Sequence, residues 1–312
     1  MTDPIRQQQL GELELVELCT KILSASRNEL YVNMRYFDIA LSSFGFEADW
    51  SRAGIATDGF LICYGPEYLL NLYRQGRTLV NRTFLHMMLH CLFGHTDNRK
   101  GRLPSLWNLA CDIAVESIID HLYQKCVHLP LSMPRREIYL RLQRQNLAVM
   151  NAEGIDKALQ DMDFNPKQLE RLALEFYRDS HDLWEREMPK SQMIRRQNQW
   201  KDHRERLQTE METLGAKDPS EDGHTLLEQV QAENRERYDY RSFLKKFAVL
   251  REEIQVDPDS FDPVFYTYGL SLYGNMPLVE PLETREVFRI QDFAIVIDTS
   301  MSCSGDLIRR FL

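Results

Sequence analysis

Two histidines stand four residues apart in the apolar run Leu85-His86-Met87-Met88-Leu89-His90-Cys91-Leu92-Phe93, which ends at Gly94-His95. At that spacing His86 and His90 project from one face of a helix, the arrangement in which paired imidazoles grip a zinc ion. Hydrolysis at such a pair also needs a general base. In the His-Glu-x-x-His motif, the glutamate directly after the first histidine takes the proton from metal-bound water. Here that position is Met87, whose thioether cannot do so. Lacking a positioned base forfeits on the order of 10²–10⁴-fold in rate. The motif therefore reads as a metal site without its usual catalytic group.

A zinc site needs further ligands. His95 lies five residues past His90, about 140° around a continuing helix, and faces away unless Gly94 ends the helix and turns it back. Asp112 and Glu116 stand four apart in a second helical stretch, so their carboxylates share a face. Asp112 is the favoured third ligand, His95 the next, and Glu116 a candidate substitute base. The competing reading of the two carboxylates is an exposed acidic stripe continued by Asp120. Cys91 and Cys111 are near in sequence, but both occupy apolar stretches, where a free cysteine is ordinarily core.

The elements that must position these residues are legible in outline. Residues 7–44 have helical apolar stripes, Gly54 to Gly59 reads as a turn, and Phe60 to Tyr64 as a short strand. Pro66 opens a helix to Tyr73, and the histidine helix spans Thr78 to Phe93 with Gly94 as its C-cap. A loop through Asn98, Gly101 and Pro104 leads into the helix that carries Asp112 and Glu116. Pro134 to Phe176 is helical, broken near Asn151 to Gly154. Residues 178–235 are dense in charge, with sparse apolar anchors at Trp184, Met193 and Trp200, and read as a solvated helical hairpin or flexible insert. Tyr238 to Leu244 reads as a packed helix, and the aromatic stretch 261–277 as core and loop packing. The apolar run Phe293 to Ile297 has the pattern of a strand buried on both faces. It ends at Asp298, Ser300 and Ser302, whose oxygens suit a hard cation such as magnesium or a helix N-cap.

Composition narrows the classes. The chain has 312 residues, enough for two domains, and a net charge of −9, which gives no electrostatic case for nucleic acid or an anionic membrane. No apolar run approaches the ~20 residues needed to span a bilayer. The N-terminus lacks a signal pattern, and the six cysteines form no CxxC pair. A reduced, cytoplasmic setting is expected.

The blocks SASRNELY (24–31), ATDGF (56–60), LHMMLHCLFGH (85–95), WNLACDIAVE (107–116), DYRSFLKKFAV (239–249), the aromatic segment 261–283 and FAIVIDTSMSCSG (293–305) are together similar to the bacterial VWA-like proteins with an N-terminal metallopeptidase-like domain. The resemblance implies a mainly helical α+β chain in four parts. These are a zincin-like domain (1–177), a charged helical insert or linker (178–237), a helical and loop connector (238–290), and the start of a truncated VWA-like α/β domain (291–312). It implies zinc at His86, His90 and Asp112 or His95. Asp298, Ser300 and Ser302 match the opening of a metal-ion-dependent adhesion site for magnesium. It further implies a MoxR-type AAA+ ATPase as protein partner. Three functions stay open: a metal-binding scaffold without catalysis, a live zinc peptidase with Glu116 replacing the missing base, and a metal-free structural module.

Overall fold

The computed structural model describes residues 4–97, 101–145, 147, 149–162, 164–186, 188–215, 224–234 and 248–290. The chain divides into two compact units, Met1–Arg235 and Glu236–Leu312. The expected helix at 238–244 lies outside the described residues. So does the VWA-like opening at 291–312, with Asp298, Ser300 and Ser302. Among the described residues no helix is long and apolar enough to cross a membrane.

The first unit is mainly helical around a small sheet. Helix α1 (Pro4–Asn33) and the short α2 (Asp38–Ser42) precede strands β1 (Gly45–Ala48), β2 (Ile55–Thr57) and β3 (Leu61–Tyr64). The strand order is β1-β3-β2, with β1 parallel and β2 antiparallel to β3. The stretch read as a turn at 54–59 thus contains a strand. Ile55, Ala56 and Thr57 are all buried and pair with β3. The reversal itself is confined to Asp58-Gly59-Phe60, where the Asp58 carboxylate accepts from the Phe60 and Leu61 amides, each at 2.8 Å.

Helices α3 (Pro66–Gln75), α4 (Arg77–Leu92) and α5 (Pro104–His121) follow, close to the expected bounds. Every residue of α4 from Val80 to Leu92 is buried. A helix buried on all sides must satisfy its polar residues internally. Asn81 donates to the Cys126 carbonyl, Arg82 enters an ion-pair network, and His86 and His90 face a polar cluster.

Helices α6 (Met133–Arg144), α7 (Ala152–Asp161) and α8 (Pro166–Phe176) build a second apolar cluster with α5. Asn151 and Asn165 are N-caps that accept from Gly154 and Gln168 amides. The expected break near 151–154 is therefore a helix start.

The charged segment is a helical hairpin of α9 (Lys190–Gly215) and α10 (His224–Asn234), folded within the first unit. Trp200, Leu207, Leu226 and Val230 are buried in the same core as α4. The Trp200 indole donates to the Gly59 carbonyl at 2.9 Å, and Arg204 donates to the Leu92 carbonyl at 2.9 Å. Its charges mask a narrow apolar seam that packs, so this segment is not simply solvated.

The second unit holds a long antiparallel pair, β4 (Ala248–Phe261) and β5 (Pro281–Ile290), joined through α11 (Pro263–Tyr273). This stretch was expected as a helical and loop connector. The aromatic residues Phe265, Tyr268 and Tyr273 are exposed, contrary to the packing expected of them.

Candidate metal centre

Five side chains converge in the first unit: His86 and His90 from α4, Asp112 from α5, and Asp179 and His181 from the segment after α8. One ligand atom from each lies within 4.8 Å of all the others. His86 Nε2 and His90 Nε2 are 2.8 Å apart. Asp112 Oδ1 stands 3.3, 3.2 and 3.2 Å from the Nε2 atoms of His86, His90 and His181. Asp179 Oδ1 is 3.4 Å from His86 Nε2 and 3.6 Å from His181 Nε2. Ligand atoms around zinc, with bonds of about 2.0–2.2 Å, stand roughly 3.4 Å apart in a tetrahedral shell. The observed separations straddle that value.

The local chain explains the convergence. The i, i+4 spacing places His86 and His90 on one face of α4, their rings 4.4 Å apart. Asp112 comes from α5, which crosses the same region. Ser180 bridges Ala56 of β2, and its amide donates to the Ile55 carbonyl at 2.8 Å. This bridge holds the chain beside β2, and the flanking Asp179 and His181 both reach the cluster. The His181 ring stacks on Trp184 at 3.8 Å, which fixes its plane.

The electrostatics fit a cation. Among the described residues, the groups of opposite charge within 4 Å of Asp112 and Asp179 are imidazoles only. Both Asp179 oxygens and His181 Nε2 are buried without a hydrogen bond of good geometry, and the ion-pair contacts of Asp179 Oδ1 and His181 Nε2, at 3.2–3.6 Å, are to members of the cluster. Burial opposes the His86 imidazolium, but hydrogen bonds to Asp112 and Glu116 lift it to about 9. Burial likewise opposes charge on His181, and Asp112 and Asp179 lift it to about 10. His90 is held well below its ordinary value by burial and by His86. Burial would raise Asp112, yet His181, His86 and His90 keep it well below the usual carboxylate range. Two carboxylates without fixed cationic partners, facing three imidazoles, form a donor set for a divalent ion.

The remaining candidates sit around this group. Gly94 adopts φ of 65° and ends α4 in a Schellman turn, with Gly94 N–H donating to Cys91 O and His95 N–H to His90 O. The turn brings His95 back, but behind His90: the two Nδ1 atoms are 2.9 Å apart, on the side of His90 away from Nε2. Burial lowers His95 to about 3.

Glu116 faces His86 Nδ1 at 3.0 Å. It also accepts from Arg82 Nη2 at 2.7 Å and pairs with Arg135 Nη2 at 2.6 Å. Burial would raise Glu116, but Arg82 and His86 hold it well below its ordinary value. Met87 is fully buried in the apolar core. Cys91 and Cys111 are buried, both thiols are raised by burial, and neither joins the converging group.

Sequence reasoning did not single out Asp179 or His181, because they open a stretch read as a charged insert. The available signal was Asp179-Ser180-His181, acid and imidazole two apart just past the end of α8. No curated protein and no solved structure matches the chain. A family model described as "Putative metallopeptidase domain" matches residues 27–246, a span that contains all five converging residues. By that match, the chain belongs to this metallopeptidase-domain family.

Proposed function

We propose that this protein is a metal-binding, non-catalytic relative of the metallopeptidases. His86, His90, Asp112, Asp179 and His181 would hold one divalent ion, zinc, at the junction of α4, α5 and the segment after α8. The carrying observation is that these five donors converge while all five are buried, with His181 Nε2 and Asp179 Oδ1 making ion-pair contacts, at 3.2–3.6 Å, to members of the cluster. A bound ion there supplies a cross-link between elements distant in sequence. Catalysis would need a positioned base. Met87 points into the core, and the Glu116 carboxylate is occupied by two guanidinium groups. On this reading Glu116 supports the site and does not serve as the substitute base.

The similarity of residues 293–305 to a VWA-like opening extends the proposal to a scaffold that engages protein partners, among them a MoxR-type AAA+ ATPase. Co-purification with such an ATPase tests that part. The core proposal is tested by incubating the zinc-loaded full chain with a peptide library. One ion per chain and no cleavage above a protein-free control is the expected result. Cleavage that disappears on chelation would overturn the non-catalytic reading.

A further inference from the structure

We infer that His95 and Glu116 are positioning residues of this centre: each holds the outer nitrogen of one α4 histidine and so directs its Nε2 lone pair into the cluster. The inference rests on the metal-binding reading above. A neutral imidazole carries one N–H and one lone pair, and the partner of one nitrogen decides which faces a metal.

At His86 the assignment follows from charge. Glu116 is an acceptor only, so the 3.0 Å contact requires His86 Nδ1–H to donate to Oε1. Nε2 is then the ligating atom, and it is the atom that meets His90, Asp112 and Asp179. Glu116 cannot turn away. Arg82 Nε spans both of its oxygens at 3.2 and 3.0 Å, while Arg82 and Arg135 Nη2 grip Oε2. Arg82 and Glu116 are both wholly buried.

At His90 the partner is neutral. The 2.9 Å contact between its Nδ1 and that of His95 needs one donor and one acceptor. If His95 donated, the His90 proton would sit on Nε2 and point into the cluster, which excludes ligation. Metal binding through Nε2 therefore requires His90 to donate and His95 to accept. This gives Gly94 a role: its left-handed turn returns the His95 ring to His90. It also separates His95 from the ligands proper, since its ring lies behind His90 and outside the five converging atoms.

The test is zinc affinity of the full chain, by competition with a chromophoric chelator, together with the visible spectrum of the cobalt(II) form. His95→Ala, which removes the acceptor, and Glu116→Gln, in which Arg82 and Arg135 hold the amide oxygen at the Oε2 position and leave an N–H toward His86, are expected to bind zinc about 10–100-fold more weakly than wild type with unchanged cobalt band positions, the usual cost of losing an outer partner of a ligating histidine. His95→Asn, which restores an acceptor, is expected to recover most of the loss. Wild-type affinity in both His95→Ala and Glu116→Gln would overturn the positioning roles alone. A shifted cobalt spectrum in His95→Ala and His95→Asn would also overturn them, by making His95 a ligand. Should His95→Ala fail to fold, His95→Asn and Glu116→Gln carry the test. A wild-type chain that takes up neither ion would overturn the site reading together with this inference.

Discussion

Arg82→Met isolates the charge network behind the candidate metal centre. Arg82 is wholly buried and donates to Glu116 through Nε and Nη2, to Asp120 through Nη2 at 2.5 Å, and to the Val127 carbonyl at 3.1 Å. Methionine keeps much of the stem volume but removes the guanidinium. Glu116 and Asp120 then share Arg135 as their main cation, and the Val127 carbonyl loses a donor. Breaking one side of a buried ion pair costs about 3–5 kcal/mol. For a folded unit of this size, about 2–4 °C of Tm accompany each kcal/mol, so the melt should fall by roughly 6–20 °C. Arg141→Met is the control: Arg141 pairs with Glu137 at the surface, their side chains 45% and 66% exposed. Such pairs contribute at most about 1 kcal/mol. Thermal melts by circular dichroism, at matched metal content, read both. An Arg82→Met protein melting within about 2 °C of wild type would refute the reasoning.

Other expectations follow from the same geometry. Met87→Glu restores the sequence of a catalytic motif but places a carboxylate in the apolar core. It should destabilise by more than about 2 kcal/mol in thermal melts and create no peptide cleavage; cleavage in that variant would contradict the placement of position 87 in the core, out of reach of the cluster. Gly94→Ala forces a Cβ onto a backbone at φ of 65°. A cost of about 1–2 kcal/mol is expected in chemical denaturation, and an unchanged midpoint would remove the turn from the argument. Arg52 donates two hydrogen bonds to Asp182 and, with help from Ser180, holds its carboxyl at about 2, below the ordinary 3.8. Because the folded value is depressed, its stabilisation is complete above about pH 5 and lost as pH falls through 4 and past 2. Asp182→Asn should therefore lose less stability than wild type across that interval, and equal slopes would show that the pair does not matter.

The helices that carry the site were legible because their signals are local. Pro66 marks a start, Gly94 marks a stop, and the i, i+4 spacing of His86 with His90 needs no tertiary knowledge. Three things escaped for a common reason, which is that packing between distant segments decides them. Strand β2 looked like a turn because Ile55 to Thr57 is short, and its strand character comes from pairing with β3. The hairpin of α9 and α10 looked solvated because its seam of Trp200, Leu207, Leu226 and Val230 is sparse among charges. Asp179 and His181 joined the cluster through a bridge between Ser180 and Ala56, two residues far apart in the chain. Local periodicity does not report which distant segments will meet, even where, as at Asp179-Ser180-His181, the residue types are suggestive.

Bound metal in the purified full chain, measured by elemental analysis beside a His86→Ala/His90→Ala double variant, tests the central claim most directly. One divalent ion per wild-type chain and none in the folded double variant is the predicted result. A folded wild-type chain that neither carries an ion nor takes one up from zinc-containing buffer would contradict it.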